Sequence, residues 1–257
     1  MKFVADKKNI QNRFRRSFET YNLQATVQKQ IASKLADLIP GTDKMHFNRI
    51  LEIGCGTGFL TQRILSKYSV GEYLLNDMID AAFDEVRQLT YNLNFNNFRF
   101  IASDAETMTF PENMDAILST SSFQWFNDIE TFIPKIYSLL KSGGIFAFST
   151  FGENNFSEIK TTLNVGLNYK TLHELLGMVQ SNFELIVAEE WTQQMQFDSP
   201  NAVLKHMKMT GVNGLEPCFL GKEKLRSFNE KYCRLFGNDD KTVRLTYHPI
   251  IIIARKN

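Results

Sequence analysis

The sequence predicts an α/β fold in which a parallel sheet is covered on both faces by helices. Three observations support this. Apolar strands alternate with helix-length segments from Asn48 to Phe151, a glycine-rich turn follows the first strand, and acidic residues close the next two. Strands alternating with helices of this length form parallel sheets with helical crossovers. Ligands bind such sheets at the carboxyl ends of the strands.

The elements of this core follow from hydrophobic runs bounded by turn residues. The predicted strands are Arg49–Ile53, Glu72–Asn76, Phe98–Ala102, Met114–Ser119 and Ile145–Ser149. The predicted helices are Phe59–Lys67, Ile79–Thr90 and Ile129–Leu140.

The segments flanking the core are mainly helical by the same criteria. Apolar residues recur at helical spacing from Asn9 to Ile39, and Pro40-Gly41 ends that helix. The later elements expected are a helix Asn155–Ser181, a strand in Phe183–Phe197, helical structure over Pro200–Phe236 and a strand Thr246–Arg255. We therefore predict one domain, 1–257, with an N-terminal lid helix (1–41), a ligand-binding core (48–151), a later strand and helical substrate lid (152–245) and a last strand (246–257).

The composition is typical of an ordinary globular protein, since 43% of the 257 residues are hydrophobic and 22% are charged. The net charge is +1, so no field of the whole protein attracts nucleic acid or an anionic membrane. Three cysteines lie far apart without metal-ligand spacing, which favours a reducing cytoplasm and predicts no metal site. The apolar run Ile250–Ala254 is too short to span a bilayer.

The turn Gly54-Cys55-Gly56-Thr57-Gly58 indicates a nucleotide-type ligand. Glycines let the chain turn tightly and bring its amides close to a ligand. A dinucleotide-binding turn needs its third glycine one place later, where Phe59 stands, so this spacing argues against a nicotinamide or flavin cofactor. A purely structural tight turn is the alternative.

Acidic residues at the ends of the next two strands are candidates for binding the same ligand. Asp77 comes about 20 residues after the loop, where a carboxylate accepts hydrogen bonds from ribose hydroxyls. Asp104 closes the third strand, where it can accept a hydrogen bond from an adenine amino group. The alternative for each is a helix N-cap, and it is stronger for Asp104.

These features, in this order, resemble the class I S-adenosylmethionine-dependent methyltransferases. Leu51–Gly58 matches the first motif of that family residue for residue, and Phe110–Asp115 and Leu140–Gly144 match its later landmarks. The resemblance implies a Rossmann-like, seven-stranded, mostly parallel sheet whose last strand is antiparallel, and S-adenosylmethionine as the cofactor. The residues expected to bind the cofactor are Glu52, Gly54, Cys55, Gly56, Gly58, Asp77, Met78, Asp104, Ala105, Ser119 and Thr120.

Methyl transfer from a sulfonium depends mainly on alignment and a dry site. A carboxylate acceptor arrives deprotonated, so it needs no general base. The four histidines lie outside the strand-end motifs, and His46 and His248 are expected to be surface or packing residues. We therefore expect the protein to position its substrate without a catalytic base.

Beyond the core, the chain resembles the malonyl-acyl-carrier-protein O-methyltransferase family of biotin synthesis. The matching segments lie in the N-terminal helix, after the fourth and fifth strands, over Leu204–Asn213 and at the C-terminus. The resemblance implies transfer to the free carboxylate of a malonyl thioester, on acyl carrier protein or coenzyme A, giving the methyl ester that primes pimeloyl synthesis. Two alternatives stay open: a methyltransferase for another small molecule, and a non-catalytic protein that binds the same cofactor.

Two residues of the N-terminal helix are candidates for positioning the substrate. Tyr21 and Gln28 are seven residues apart and are expected on one helix face with Phe14 and Phe18. A core stripe is the alternative, and it is preferred for the two phenylalanines. Gln28 is unusual for a core position, which favours a role in the site.

The other candidates follow the fourth strand or lie on the late helices. The amide of Gln124 can bond a carboxylate oxygen, and Trp125 can wall a pocket or, alternatively, fill the core. A malonyl carboxylate also needs a cation. Of Lys205, Lys208 and Arg226 we rank Lys208 first, although such residues usually form solvated faces.

A basic N-terminal segment is the candidate docking surface for an acidic carrier protein. Lys2–Arg16 contains six basic residues and one acidic residue, Asp6. A solvated basic helix face is the alternative. Reversing the charges of Arg13, Arg15 and Arg16 separates the two hypotheses, because only docking makes the effect specific to the carrier protein.

Overall fold

The computed structural model describes residues 6–41, 45–211 and 221–257. Their contacts divide the chain into two compact units. The first, which we call the hairpin unit, consists of the described residues of Met1–Ala25, Phe151–Lys170 and Glu190–Pro249. The second, the sheet unit, consists of those of Thr26–Thr150, Thr171–Glu189 and Ile250–Asn257.

The elements follow in chain order. The helices are α1 (Lys7–Gln24), α2 (Thr26–Leu38), α3 (Phe59–Lys67), α4 (Ala82–Asn92), α5 (Ile129–Leu139), α6 (Ser157–Leu163), α7 (Leu172–Gln180), α8 (Pro200–Met209) and α9 (Lys222–Phe236). The strands are β1 (His46–Ile53), β2 (Ser69–Asp77), β3 (Phe98–Ala102), β4 (Met114–Ser119), β5 (Leu140–Phe151), β6 (Phe183–Glu190), β7 (Gln193–Phe197), β8 (Val243–Tyr247) and β9 (Pro249–Lys256).

The sheet unit is built on a seven-stranded sheet of order β3-β2-β1-β4-β5-β9-β6, which confirms the predicted α/β fold. β1 pairs in parallel with β2 and β4, β2 with β3, and β4 with β5. Ile53 at the end of β1 is level with Asn76 on β2 and with Ser119 on β4. The carboxyl ends of these strands therefore meet at one edge of the sheet, which we call the carboxyl edge.

The core of the sheet unit is formed by strands that are buried on both faces. Such strands are nearly continuous apolar runs, as the sequence Ile-Phe-Ala-Phe of β5 shows. Leu51, Leu74, Ile117, Phe146 and Ile252 are completely buried in one cluster. This packed sheet is the rigid base from which the loops of the carboxyl edge extend.

Several boundaries agree with the sequence prediction, and others are longer or shifted. α3, β3 and β4 begin and end where predicted. β1, β2 and β5 are longer than expected, and α4 begins at Ala82 instead of Ile79. β5 extends back through Gly143-Gly144 because its pairing with β4 continues, across an irregularity, to Met114 and Leu140.

The prediction of one helix from Asn9 to Ile39 is wrong. The chain leaves the helical conformation at Ala25, whose ψ is 48°, and a new helix begins at Thr26. The two apolar stripes have different partners, since α1 packs on α8 in the hairpin unit and α2 packs on α3 in the sheet unit. Tyr21 and Gln28 consequently lie on different helices, and the expected shared face does not exist.

Three later predictions also merge elements that are separate. The helix expected over Asn155–Ser181 is interrupted because Asn164, with φ of 55°, ends α6 in a left-handed conformation. The strand expected in Phe183–Phe197 is two strands that belong to different sheets, β6 and β7. The last predicted strand divides at His248 into β8 and β9, and the helical prediction over Pro200–Phe236 corresponds to α8 and α9, with 212–220 outside the described residues.

The hairpin unit has its own core around the antiparallel pair of β7 and β8. Tyr232 on α9 and Tyr247 on β8 are completely buried there. Buried Glu158 accepts hydrogen bonds from Thr246 N (3.0 Å) and Thr246 Oγ1 (2.6 Å), which fastens α6 to β8. None of the described helices is long and apolar enough to cross a membrane. The organisation as one domain with lid segments stays a prediction.

Candidate functional site

The glycine loop between β1 and α3 turns in a way that glycine alone adopts readily. The φ angles of Gly54, Gly56 and Gly58 are +69°, +52° and +85°. A Cβ on Gly58 would meet Leu89 at 2.6 Å, and one on Gly54 would collide with Ser122. A Cβ on Gly56 would meet nothing within 4 Å. Gly56 therefore faces open space, where a ligand can approach the backbone closely.

Asp77 at the end of β2 fastens this loop. Its Oδ2 accepts a hydrogen bond from Gly56 N (2.8 Å), and its Oδ1 accepts one from Ile79 N (2.8 Å). It is not the N-cap of α4, which begins later at Ala82. Each carboxylate oxygen can accept a further bond, so capacity for ribose hydroxyls is left. Burial raises the pKa of Asp77 to about 6, although hydrogen bonds from the backbone N–H groups of Ile79, Gly56 and Met78 partly offset this.

Glu52 lies beneath the loop, one residue before the end of β1. Its Oε2 accepts hydrogen bonds from Tyr73 OH (2.6 Å) and Thr61 Oγ1 (2.8 Å), so β1, β2 and α3 meet at one carboxylate. Its Oε1 is buried and has no hydrogen-bond partner among the described residues. Burial raises the pKa of Glu52 to about 7, with Asp77 nearby adding to the rise. Burial likewise raises the pKa of the neighbouring Cys55 thiol.

The predicted contacts after β3 lie in a turn at the same edge of the sheet. Asp104 is half-buried, and its Oδ1 accepts a hydrogen bond from Glu106 N (3.1 Å). No helix follows directly, so its capping role is limited to this turn. Ala105 beside it is buried. Met78 is half-buried and follows Asp77 on the neighbouring strand.

The end of β4 is joined to the glycine loop by serine side chains. Ser119 Oγ donates to Ile53 O (2.9 Å), and Ser122 Oγ donates to Gly54 O (3.3 Å). Thr120 Oγ1 lies 2.8 Å from Ser149 Oγ on β5. Ser119 and Thr120 were predicted from sequence, but Ser122 was not. The contacts of these three residues connect β4, the loop and β5.

Gln124 and Trp125 form part of a 3₁₀ turn, Phe123–Trp125, just beyond β4. Gln124 Nε2 donates to Ser121 O, and Gln124 Oε1 accepts from Thr150 Oγ1 (3.4 Å). An amide carries two N–H groups, so one donor is left for a ligand. Trp125 is 8% exposed, which agrees with the core-filling alternative as well as with a pocket wall.

Orphaned polar atoms in the sheet unit test whether these residues fit a polar cofactor. Glu52 Oε1, Thr57 Oγ1 and Ser121 Oγ are buried without a hydrogen-bond partner in the described part of the chain, and all lie near the carboxyl edge. Gln28 on α2 is 3% exposed, and both polar atoms of its amide are likewise buried without a hydrogen-bond partner among the described residues. Buried polar groups normally have partners. Together with the open face of Gly56, these atoms fit a ligand with polar substituents.

Two predicted substrate residues belong to the other unit. Tyr21 is half-buried on α1, and Lys208 is exposed on α8. Their roles stay predictions. His46 and His248 are surface and packing residues, as expected: His46 is exposed and 2.9 Å from Ser69 Oγ, and His248 is buried against Glu190 at 3.1 Å.

Sequence reasoning missed the residues that support the predicted ones. Tyr73 and Thr61, which bind Glu52, and Ser149, which binds Thr120, were not identified. The sequence feature that could have indicated them is a polar group within an otherwise apolar strand or helix, such as the hydroxyl of Tyr73 within Tyr-Leu-Leu. Such a signal shows that a partner is needed but does not identify the partner.

Comparison with known proteins defines the class. A family model described as "Methyltransferase domain" matches residues 47–230. A protein of Bacillus halodurans assigned as a methyltransferase has a TM-score of 0.65 at 16% identity, covering 88% of this chain and 98% of that one. The N-methyltransferase NodS of Bradyrhizobium japonicum, in complex with S-adenosyl-L-homocysteine, has a TM-score of 0.54 at 12% identity, with coverages of 88% and 86%. At these identities the two structures show the fold alone. With the family model and the glycine loop, they make the chain an S-adenosylmethionine-dependent methyltransferase.

Full-length relatives define the family. The malonyl-[acyl-carrier protein] O-methyltransferase of Acinetobacter baylyi is 37% identical over 98% of this chain and 97% of its own length. The protein of the same name from Bacteroides thetaiotaomicron is 36% identical, with coverages of 96% and 97%. That of Haemophilus influenzae is 34% identical, with coverages of 97% and 95%. The chain belongs to the malonyl-[acyl-carrier protein] O-methyltransferase family.

Proposed function

We propose that this protein transfers a methyl group from S-adenosylmethionine to the free carboxylate of malonyl-acyl carrier protein. The ester would then prime pimeloyl synthesis for biotin. The observation that carries the proposal is the similarity to malonyl-[acyl-carrier protein] O-methyltransferases over 98% of the chain. That similarity includes the hairpin unit, which lies outside the cofactor-binding core. The reaction belongs in the cytoplasm, which suits separated cysteines such as buried Cys55 and exposed Cys233.

The cofactor supplies an activated methyl group on a sulfonium. The residues proposed to hold it are those of the carboxyl edge. Gly56 lets the backbone approach, Asp77 accepts hydrogen bonds from the ribose, and Asp104 accepts one from the adenine amino group. Glu52 keeps β1, β2 and α3 in register beneath the loop through Tyr73 and Thr61. The structure supports this assignment because these groups lie at one edge of one sheet.

The acceptor needs orientation and desolvation. A malonyl carboxylate is ionised at neutral pH, so its oxygen attacks the methyl carbon without losing a proton. Within the sheet unit, Gln28 and Gln124 are proposed to donate hydrogen bonds to it and Trp125 to wall the pocket. Tyr21 and Lys208 stay candidates from the sequence alone. Each of these roles is a proposal.

The carrier protein is proposed to dock on α1. This helix contains five basic residues and one acidic residue, and Lys8, Arg15 and Arg16 are exposed on it. Leu23, further along the same helix, is 76% exposed and offers an apolar contact beside the charges. Charged surfaces of this kind mainly increase the association rate and select the partner.

A panel of acceptors tests the proposed function. Purified protein is mixed with methyl-labelled S-adenosylmethionine and with malonyl, succinyl or acetyl thioesters of acyl carrier protein and of coenzyme A. The proposal expects label in the malonyl thioesters and none in the acetyl thioester, which has no free carboxylate. Preferential labelling of succinyl thioester, or of a different acid, would identify a methyltransferase for another substrate. Donor binding without any turnover would indicate a non-catalytic protein.

A further inference from the structure

Ser121, two residues beyond β4, has a strained backbone held by its neighbours. Its φ is 52°, a left-handed conformation that is unfavourable for serine. Its N–H donates to both Ser149 O and Ser149 Oγ at 3.1 Å, and its carbonyl accepts a hydrogen bond from Gln124 Nε2. Such strain persists only where the surroundings enforce it, and it is concentrated at functional sites.

The hydroxyl of Ser121 has no hydrogen-bond partner among the described residues, although the oxygen itself is buried. The residue as a whole is half-buried, so part of it is accessible to solvent. Rotation about one side-chain bond is enough to redirect a serine hydroxyl. The constrained backbone therefore presents a hydroxyl donor whose partner is not among the described residues.

The sheet order places this hydroxyl on one side of the glycine loop. Asp77 and Asp104, the proposed partners of the ribose and adenine, follow β2 and β3. Ser121 follows β4, on the opposite side of β1. Its neighbour Ser122 donates to Gly54 O, so Ser121 lies directly beside the loop. Ser121 is therefore next to the proposed site of the methyl donor, on the side away from Asp77 and Asp104.

We propose that the Ser121 hydroxyl donates a hydrogen bond to the acceptor carboxylate and orients the oxygen that attacks the methyl group. This inference rests on the proposed function. Gln124 has a second role beside its proposed contact with the carboxylate: one N–H of its amide holds the Ser121 carbonyl and thereby positions Ser121 in the left-handed conformation. The hydroxyl keeps its proton throughout. The methyl–sulfur bond breaks as the new carbon–oxygen bond forms, and the sulfur retains the electron pair.

An isosteric pair of variants, S121N and S121D, tests the proposal. Asparagine and aspartate both tolerate the left-handed conformation and have the same size. The asparagine amide can donate to a carboxylate, whereas the aspartate repels it. We expect the KM for malonyl thioester to be at least about tenfold higher in S121D than in S121N. The dissociation constant for S-adenosylhomocysteine, which has no sulfonium charge, should agree between the two within about twofold.

Two further variants separate the hydroxyl from the backbone strain. S121A removes the hydroxyl and should lower kcat/KM for malonyl thioester by about tenfold. Its dissociation constant for S-adenosylhomocysteine should be unchanged. S121G also relieves the strain, so it should raise the melting temperature without restoring kcat/KM. Equal KM values for S121N and S121D, or full activity of S121A, would overturn the role of Ser121 while wild-type transfer to malonyl thioesters still supports the proposed function. A wild-type protein that does not methylate malonyl thioesters overturns both.

Discussion

The phenol of Tyr73 donates a 2.6 Å hydrogen bond to Glu52, and both side chains are completely buried beneath the glycine loop. One residue is on β2 and the other on β1, so the bond connects adjacent parallel strands at the level of the cofactor loop. The same carboxylate oxygen accepts a hydrogen bond from Thr61 on α3. Glu52 thus fixes the strand and the helix that flank the loop.

Removal of the Tyr73 hydroxyl should destabilise the protein. Y73F leaves a buried carboxylate with one donor fewer, which costs about 1–3 kcal/mol in the free energy of unfolding. Urea denaturation measures the loss. Y91F is the matched control, because Tyr91 is 73% exposed and its hydroxyl should matter little. Equal stability of Y73F and Y91F would show that the bond to Glu52 contributes nothing measurable.

Stability of the ligand-free protein should depend on pH through Glu52. Its pKa is raised from 4.5 to about 7, so the folded state favours the protonated form. The resulting stabilisation is complete below the unfolded pKa and is lost as the pH rises through about 7. E52Q has no such group, so its stability should fall less than that of the wild type between pH 5 and pH 8. The difference is expected to be on the order of 2–3 kcal/mol.

Asp77 also makes the folded protein less stable as the pH rises, since its pKa is raised from 3.8 to about 6. It is present in both E52Q and the wild type, so comparison of the two isolates Glu52. Denaturant unfolding at each pH provides the measurement. Parallel pH profiles for the two proteins would contradict the assignment.

A methyl group on Gly56 should block the cofactor without unfolding the protein. G56A places a Cβ in the open space that the cofactor is expected to fill, and we expect donor affinity to fall at least about tenfold. G143A is the control, because Gly143 also has a positive φ (+75°) and a Cβ there also meets nothing within 4 Å. Gly143 lies near the start of β5, far along the strand from the carboxyl edge.

Both alanine variants should lose similar stability, about 1–2 kcal/mol, from the left-handed backbone. Isothermal titration with S-adenosylhomocysteine separates them, since only G56A should bind weakly. Unchanged binding by G56A, or weakened binding by G143A, would be inconsistent with the proposed cofactor site.

Charge reversal on α1 tests the carrier docking surface. The variant R13E/R15E/R16E should raise the KM for malonyl-acyl carrier protein and leave that for malonyl-coenzyme A nearly unchanged, because coenzyme A lacks the docking protein. K222E/K224E on α9 is the control, since both lysines are exposed on another basic helix of the hairpin unit. Added salt should weaken the carrier-specific part of the effect. An equal change for both thioesters would argue against docking on α1.

The local signals in the sequence predicted the sheet and the loop well, because each is set by residues adjacent in the chain. Gly58 and Phe59 fix the start of α3, and Asp77 ends β2 as expected. The break at Ala25 was missed because alanine is a strong helix former and the periodicity continues across it. The end of α1 becomes evident only from the structure, in which α1 packs on α8 and α2 packs on α3.

The support of the candidate site depends on contacts between residues that are distant in sequence. The bond from Tyr73 to Glu52 requires the parallel register of β1 and β2, which no local pattern specifies. The left-handed conformation of Ser121 is enforced by Ser149 on β5 and by Gln124. Local motifs were enough to propose individual candidate positions, whereas the contacts that connect them could be seen only in the folded structure.

The chemical position of the transferred methyl group decides whether the malonyl carboxylate is the acceptor. Purified protein is incubated with methyl-labelled S-adenosylmethionine and malonyl-acyl carrier protein, and the product is treated with mild alkali. A methyl ester of the malonyl carboxylate releases volatile labelled methanol, and intact product gains the mass of one methylene unit. We expect both results with malonyl-acyl carrier protein and neither with acetyl-acyl carrier protein. Label that stays on the carrier protein after alkali, or no transfer to the malonyl thioester, would contradict it.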